Sequence, residues 1–186
     1  MHRKRFALIL GVLALFAVPA LGLAQFFEKN IEDYDALFRE NLSKDGKILN
    51  LAGKKIGDEG IKKLIAFEPV KSVVRLDLRY NKIAEEGARA MAQSGSFPAL
   101  EFLELRHNFF GDGGAAALAG SQAFPKLLDL KLGWNELHDP GGLALAGSKT
   151  LVQTLRKLDL RGNFLDESTK QALSKAYAHL ESLQLF

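Results

Sequence analysis

The sequence predicts an α/β solenoid, a stack of short parallel strands on one side and helices on the other. Two observations predict it. The string Leu-x-Leu-x-x-Asn-x-φ-x-x-x-Gly (φ, apolar) recurs along the chain, and equivalent positions 54, 81, 108 and 135 are 27 residues apart, with a last step of 28 to position 163. Within each period the apolar spacing changes from two, as in a strand, to three or four, as in a helix. A unit this short cannot enclose a core of its own, so repetition at this period implies that neighbouring units bury one another's apolar edges.

The first residues read as an export leader. Arg3-Lys4-Arg5 precede an apolar run from Phe6 to Val18, followed by Pro19 and small residues ending Gly22-Leu23-Ala24. That is the pattern of a secretory signal peptide, with cleavage expected after Ala24; an uncleaved anchor is the alternative. The apolar run is shorter than the roughly 20 residues needed to span a bilayer. No Cys follows it, so a lipid-modified N-terminus is not expected. The chain has 25 Lys and Arg against 22 Asp and Glu, and removing Arg3, Lys4 and Arg5 leaves 22 against 22. The basic pI of 9.1 therefore belongs to the leader and is no nucleic-acid footprint. A chain with no Cys that is exported has no disulfides, which suits a periplasmic or secreted bacterial protein. The expected division is leader 1–24, an N-terminal helical cap 25–47, and a repeat domain 48–186 of about five repeats and a terminal strand.

Phe27, Ile31, Tyr34, Phe38 and Leu42 are spaced by three or four among charged residues, which predicts an amphipathic helix covering the open end of the stack. Asp45-Gly46 then turns the chain into the first strand. The repeats follow. Leu49, Leu51, Lys54, Ile56 and Gly60 form a degenerate copy with Lys in place of Asn. Leu76, Leu78, Asn81, Ile83 and Gly87 form the second; Leu103, Leu105, Asn108, Phe110 and Gly114 the third; Leu130, Leu132, Asn135, Leu137 and Gly141 the fourth. Leu158, Leu160, Asn163 and Leu165 form the fifth, with Thr169 where Gly would stand. Asp58, Glu85, Asp112, Asp139 and Glu167 stand at the helix starts, where an acid complements the helix dipole and can accept from free amides. Phe97-Pro98 and Phe124-Pro125 mark the return from helix to strand, and Leu180–Leu185 reads as a closing strand.

These units resemble leucine-rich repeats, nearest the ribonuclease-inhibitor-like subclass, over about residues 46–186. The resemblance implies a horseshoe arc with strands on the concave face, helices on the convex face, and a ladder of Asn side chains bonding the turn backbone.

Aligning the copies yields the side chains of the strand face. One column runs Asn50, Asp77, Glu104, Lys131, Asp159 and Gln184, and another Ile48, Arg75, Phe102, Asp129, Lys157 and Ser182. A third runs Ala52, Arg79, Arg106, Gly133, Arg161 and Phe186, with Tyr80, His107, Trp134 and Gly162 at the rim beside it. Arg79, Tyr80, Arg106, His107, Lys131, Trp134 and Arg161 are the candidate protein-binding residues, because Arg, Tyr and Trp dominate interface energetics. Against this stand two plainer readings: charge pairs across a solvated sheet, and ring packing within the turn. Phe109 and Phe164 are expected to pack between adjacent turns. The scattered His107, His138 and His179 lack metal-ligand spacing, and Gly111-Asp112-Gly113-Gly114 repeats a structural register, so no metal, cofactor or catalytic residue is expected. The function expected is an exported, non-catalytic module that recognises a protein partner, with no nucleic-acid ligand and no stable membrane span once the leader is removed. A structural envelope or cell-surface spacer is the alternative.

Overall fold

The structure is a computed structural model that describes residues 31–186. The leader and the start of the cap, including Phe27, lie outside the described residues. The unit Asp33–Phe186 begins with helix α1 (Tyr34–Glu40), then β1 (Ile48–Asn50) and α2 (Gly57–Ala66). A 3₁₀ turn (Glu68–Ser72) leads to β2 (Arg75–Asp77), α3 (Glu85–Gln93), β3 (Phe102–Glu104) and α4 (Gly111–Ala119). There follow β4 (Asp129–Lys131), α5 (Asp139–Ala146), the short α6 (Leu151–Thr154), β5 (Lys157–Asp159), α7 (Glu167–Ala176) and β6 (Ser182–Gln184).

The strands form one open parallel sheet in chain order, β1 to β6. Register keeps the repeat columns: Leu49 pairs with Leu76, Leu76 with Leu103, Leu103 with Leu130, Leu130 with Leu158 and Leu158 with Leu183. One step along each strand, side chains change face, so Leu76, Leu78, Leu103, Leu105, Leu130, Leu132, Leu158 and Leu160 are all buried. Behind them Ile61, Leu64, Met91, Leu118, Leu145 and Leu173 bury the inner faces of the helices, while Ile65 and Ala146 are only half-buried. Phe97 and Phe124 stack at 5.5 Å inside the return segments.

The Asn residues form the expected ladder, and its direction explains Lys54. Asn81 Nδ2 donates to Leu51 O at 2.8 Å, Asn108 Nδ2 to Leu78 O at 2.9 Å, Asn135 Nδ2 to Leu105 O at 2.9 Å and Asn163 Nδ2 to Leu132 O at 3.0 Å. Each Asn therefore satisfies a carbonyl of the preceding rung. The first rung has no parallel strand before it among the described residues, and Lys54 stands there exposed.

The acids act differently from expectation. The three aspartates cap the following repeat rather than their own helix, while Glu85 pairs with Arg89 of its own helix: Asp58 Oδ1 accepts from Ala84 N at 2.8 Å, Asp112 Oδ1 from His138 N and Gly141 N at 2.8 and 2.9 Å, and Asp139 Oδ1 from Asp166 N at 2.9 Å. This explains two members of the Gly column, Gly87 and Gly141, whereas Gly60 and Gly114 are closed by apolar side chains. A Cβ on Gly141 would lie 2.6 Å from Asp112 Oδ1, and one on Gly87 would meet Asp58 Oδ1. In the last repeat Thr169 is buried and hydrogen-bonds the Asp139 carboxylate, replacing a close approach with a bond.

The cap is shorter than its apolar stripe suggests. Asp33 caps α1 by accepting from Ala36 N at 2.9 Å, and the helix ends at Glu40. Leu42 leaves the helix to form an antiparallel bridge with Leu49, and Asn50 N donates to Asn41 O at 3.1 Å. The segment so covers the otherwise open edge of β1, while Phe38 meets Phe67 edge-on at 5.4 Å. Phe109 and Phe164 also depart from expectation: they are 51% and 62% exposed. Their backbone amides bond back to Ile83 O and Leu137 O, which turns the rings outward, and Phe164 rests on His138 at 5.1 Å.

Candidate functional site

The strand face carries three arginines folded back onto acids of their own strands. Arg79 Nε and Nη2 reach Asp77 at 3.0 and 2.7 Å, Arg106 reaches Glu104 at 2.8 and 2.7 Å, and Arg161 reaches Asp159 at 3.0 and 2.8 Å. The two-residue spacing puts acid and Arg on the same side of the chain, and the same carboxylates accept from the backbone amides of Arg79, Arg106 and Arg161. These planar two-point bonds fix each guanidinium and hold all three above the ordinary arginine range. The rungs are cross-linked as well: Arg106 Nη1 lies 3.9 Å from Asp159 Oδ2, and Lys131 Nζ 3.7 Å from Glu104 Oε2. Burial pulls the Asp159 carboxyl upward, but the bonds from Arg161 outweigh it and leave the group below the ordinary carboxylate range.

Asp129 has the opposite balance. Its Oδ1 is buried without a hydrogen-bond partner among the described residues. Burial raises its carboxyl despite the nearby Lys131 and Lys157 charges. Two adjoining hollows on the strand face share Asp129, Lys131 and Arg106 as walls. Arg75, paired with no acid among the described residues, lies over the Phe102 ring at 4.1 Å. Sequence reasoning aligned Asp129, Arg75 and Lys157 in one column without singling them out. The available signal was an acid set between Phe102 and Lys157 on an exposed face.

At the rim, Tyr80 stacks on His107 at 4.3 Å and 8°, and His107 on Trp134 at 4.8 Å and 11°. These separations match the roughly 4.8 Å between strands, so the rings follow the sheet as a continuous pile. All three residues have left-handed backbone, with φ of 56°, 58° and 53°. The turn after each strand demands that conformation, and Gly53 and Gly162 fill it with φ of 70° and 69°. A side chain there costs about 1–2 kcal/mol relative to Gly. Tyr80 and Trp134 remain 53% and 40% exposed. Arg161 lies 5.8 Å from the Trp134 ring centroid, joining the charged column to the aromatic one. The structure thus brings Arg79, Tyr80, Arg106, His107, Lys131, Trp134 and Arg161 onto one continuous surface.

Three segments, residues 71–92, 98–119 and 125–146, match the family described as Leucine Rich repeat. The fold is a leucine-rich repeat solenoid. Among solved structures the solenoid is similar to the tropomodulin C-terminal domain of Caenorhabditis elegans, with a TM-score of 0.61 and 19% identity, covering 81% of this chain and 93% of that one. It is also similar to leiomodin-1 actin-binding site 2, with a TM-score of 0.60 and 17% identity, covering 78% of this chain and 86% of that one. At these identities the likeness is one of fold. Comparison with curated proteins gives no match. Among the described residues, no group of three or more His, Asp or Glu side chains could hold a metal ion, and no helix is long and apolar enough to cross a membrane.

Proposed function

We propose that this solenoid is an exported, non-catalytic binding module that recognises another protein through its concave strand face. The observation that carries the reading is the pile of Tyr80, His107 and Trp134. Three large side chains are kept, half in water, at backbone positions where glycine is less strained. Exposed aromatics held rigid lose little entropy on binding, which is how preorganisation favours affinity. The acids beside them, Asp77, Glu104 and Asp159, are committed to arginines and turn amides. Six strands give a strip on the order of 24 Å long, enough for an interface at the small end of the standard class. The actin-binding site of leiomodin-1 shares the fold, which supports a protein as ligand without naming which. Export rests on the composition of residues 1–24.

A structural spacer is favoured by a different observation: Arg79, Arg106 and Arg161 are already neutralised by their own acids, in part-buried pairs that hold each guanidinium to its own strand. One experiment separates the readings. Immobilised protein and its Trp134→Ala/Arg106→Ala variant are exposed in parallel to an envelope extract. A binding module enriches a defined protein that the variant does not retain, whereas a spacer gives the same profile for both.

A further inference from the structure

The rim column runs Gly53, Tyr80, His107, Trp134, Gly162, one residue per rung, and its two glycine ends differ. At Gly162 the column is closed: a Cβ there would collide with Nε1, Cδ1 and Cε2 of Trp134, whose indole lies against the glycine. At Gly53 it is open, with nothing within 4 Å of the Cβ position among the described residues. Tyr80 has His107 at 4.3 Å on one side and is 53% exposed. The pile is therefore one ring short at its first rung, leaving a slot with Gly53 as its floor and Tyr80 as its wall. Lys54 and Lys55 follow directly, both exposed, their ammonium groups in no hydrogen bond or ion pair among the described residues.

We propose, on the protein-binding reading above, that this slot receives an aromatic side chain of the partner, carried in a segment with carboxylates beside the ring. The vacant position is one rung from Tyr80, the same step that separates the rings of Tyr80, His107 and Trp134. A ring completes the pile with offset-stacked contact that an aliphatic side chain cannot match. Two unpaired ammonium groups at its edge disfavour an incoming guanidinium and favour neighbouring acids.

Three capped tripeptides serve as probes, Glu-Trp-Glu, Glu-Leu-Glu and Lys-Trp-Lys, titrated into the whole isotope-labelled chain while amide and ring shifts are followed. Glu-Trp-Glu is expected to move Gly53 and Tyr80 with an affinity about fivefold or more above either other peptide. Its binding should weaken in high salt. Gly53→Trp, which supplies the missing ring at a backbone position where Tyr80, His107 and Trp134 show a ring is accommodated, should abolish the response while unfolding remains cooperative; Tyr80→Ala, the second variant, should abolish it by removing the wall. Equal affinity of Glu-Trp-Glu and Glu-Leu-Glu, or shifts centred on Phe109 or Phe164, overturns the slot. A protein captured by the wild type and lost in Trp134→Ala/Arg106→Ala, yet held undiminished by Gly53→Trp, also overturns it and leaves the strand-face reading standing. Loss in both variants supports it.

Discussion

Asn108 Oδ1 accepts the backbone amide of Asn81 at 3.0 Å, one full repeat away. The same oxygen accepts from Ile83 N at 3.0 Å, while its Nδ2 bonds carbonyls of both rungs, Leu78 O and Leu105 O. One buried side chain thus satisfies four backbone groups that a turn would otherwise leave bare. Asn108→Leu should destabilise the solenoid by about 2–5 kcal/mol, since each orphaned buried group costs about 1–3 kcal/mol with partial relief by water. Lys54→Asn, at the rung with no predecessor, should change stability by less than about 0.5 kcal/mol. Denaturant unfolding of the two variants checks both values, and a near-neutral Asn108→Leu would remove the ladder from the account.

The leucine spine makes an independent prediction. Leu105 is fully buried between rungs, so Leu105→Ala should cost about 2–5 kcal/mol through lost transfer energy and a residual cavity. Phe109→Ala, four residues away but half in water, should cost under about 1 kcal/mol despite removing more carbon. Thermal midpoints of the pair measure the contrast directly.

On the helix side, Ser121 Oγ donates to Ala92 O and Ser148 Oγ to Ala119 O, each at 2.6 Å, and Tyr177 Oη continues the series to Leu145 O at 2.8 Å. These buried hydroxyls satisfy the last carbonyls of the preceding helix. Ser121→Ala should destabilise by about 1–3 kcal/mol, and by more than Ser94→Ala, whose hydroxyl bonds only within its own turn. Comparable losses at the two positions would count against a second ladder.

Replacing Gly141 with Ala places a methyl group 2.6 Å from Asp112 Oδ1, where that oxygen holds both His138 N and Gly141 N. The carboxylate must move and surrender bonds, so a loss of about 1–3 kcal/mol is expected although Ala is the better helix former. An unchanged melting temperature would show that the close approach is dispensable.

Acidification should act oppositely through two carboxylates of the strand face. Asp159 is held below the ordinary range, so its stabilisation is full above the unfolded-state value and is lost as pH falls through that range and below it. Asp129 is raised by burial, so its charged form opposes folding at neutral pH and protonation relieves this as pH falls. Asp129→Asn should therefore remove a gain in stability on mild acidification, and Asp159→Asn should reduce the loss at lower pH. Melting temperature followed from pH 7 to pH 3 distinguishes them; identical profiles for both variants would contradict these assignments.

The rungs follow from the order of residues alone. Five copies at steps of 27 and 28 residues fix which leucines stack and which side chains share a column, because a unit without its own core can bury its apolar edge only in register with its neighbours. Paired columns such as Leu76, Leu103 and Leu130, and the strand-face set from Asn50 to Gln184, were legible on that ground alone. Which partner each polar group chooses was decided only in the tertiary structure. Strands about 4.8 Å apart place a partner in the same rung and one in the next rung at comparable reach. Asp112 could have capped its own helix yet holds the next one, whereas Arg79 folds back onto Asp77 of its own strand. The open side of Tyr80 at Gly53 depends on which way the pile of rings leans, and no periodicity in the chain encodes that direction.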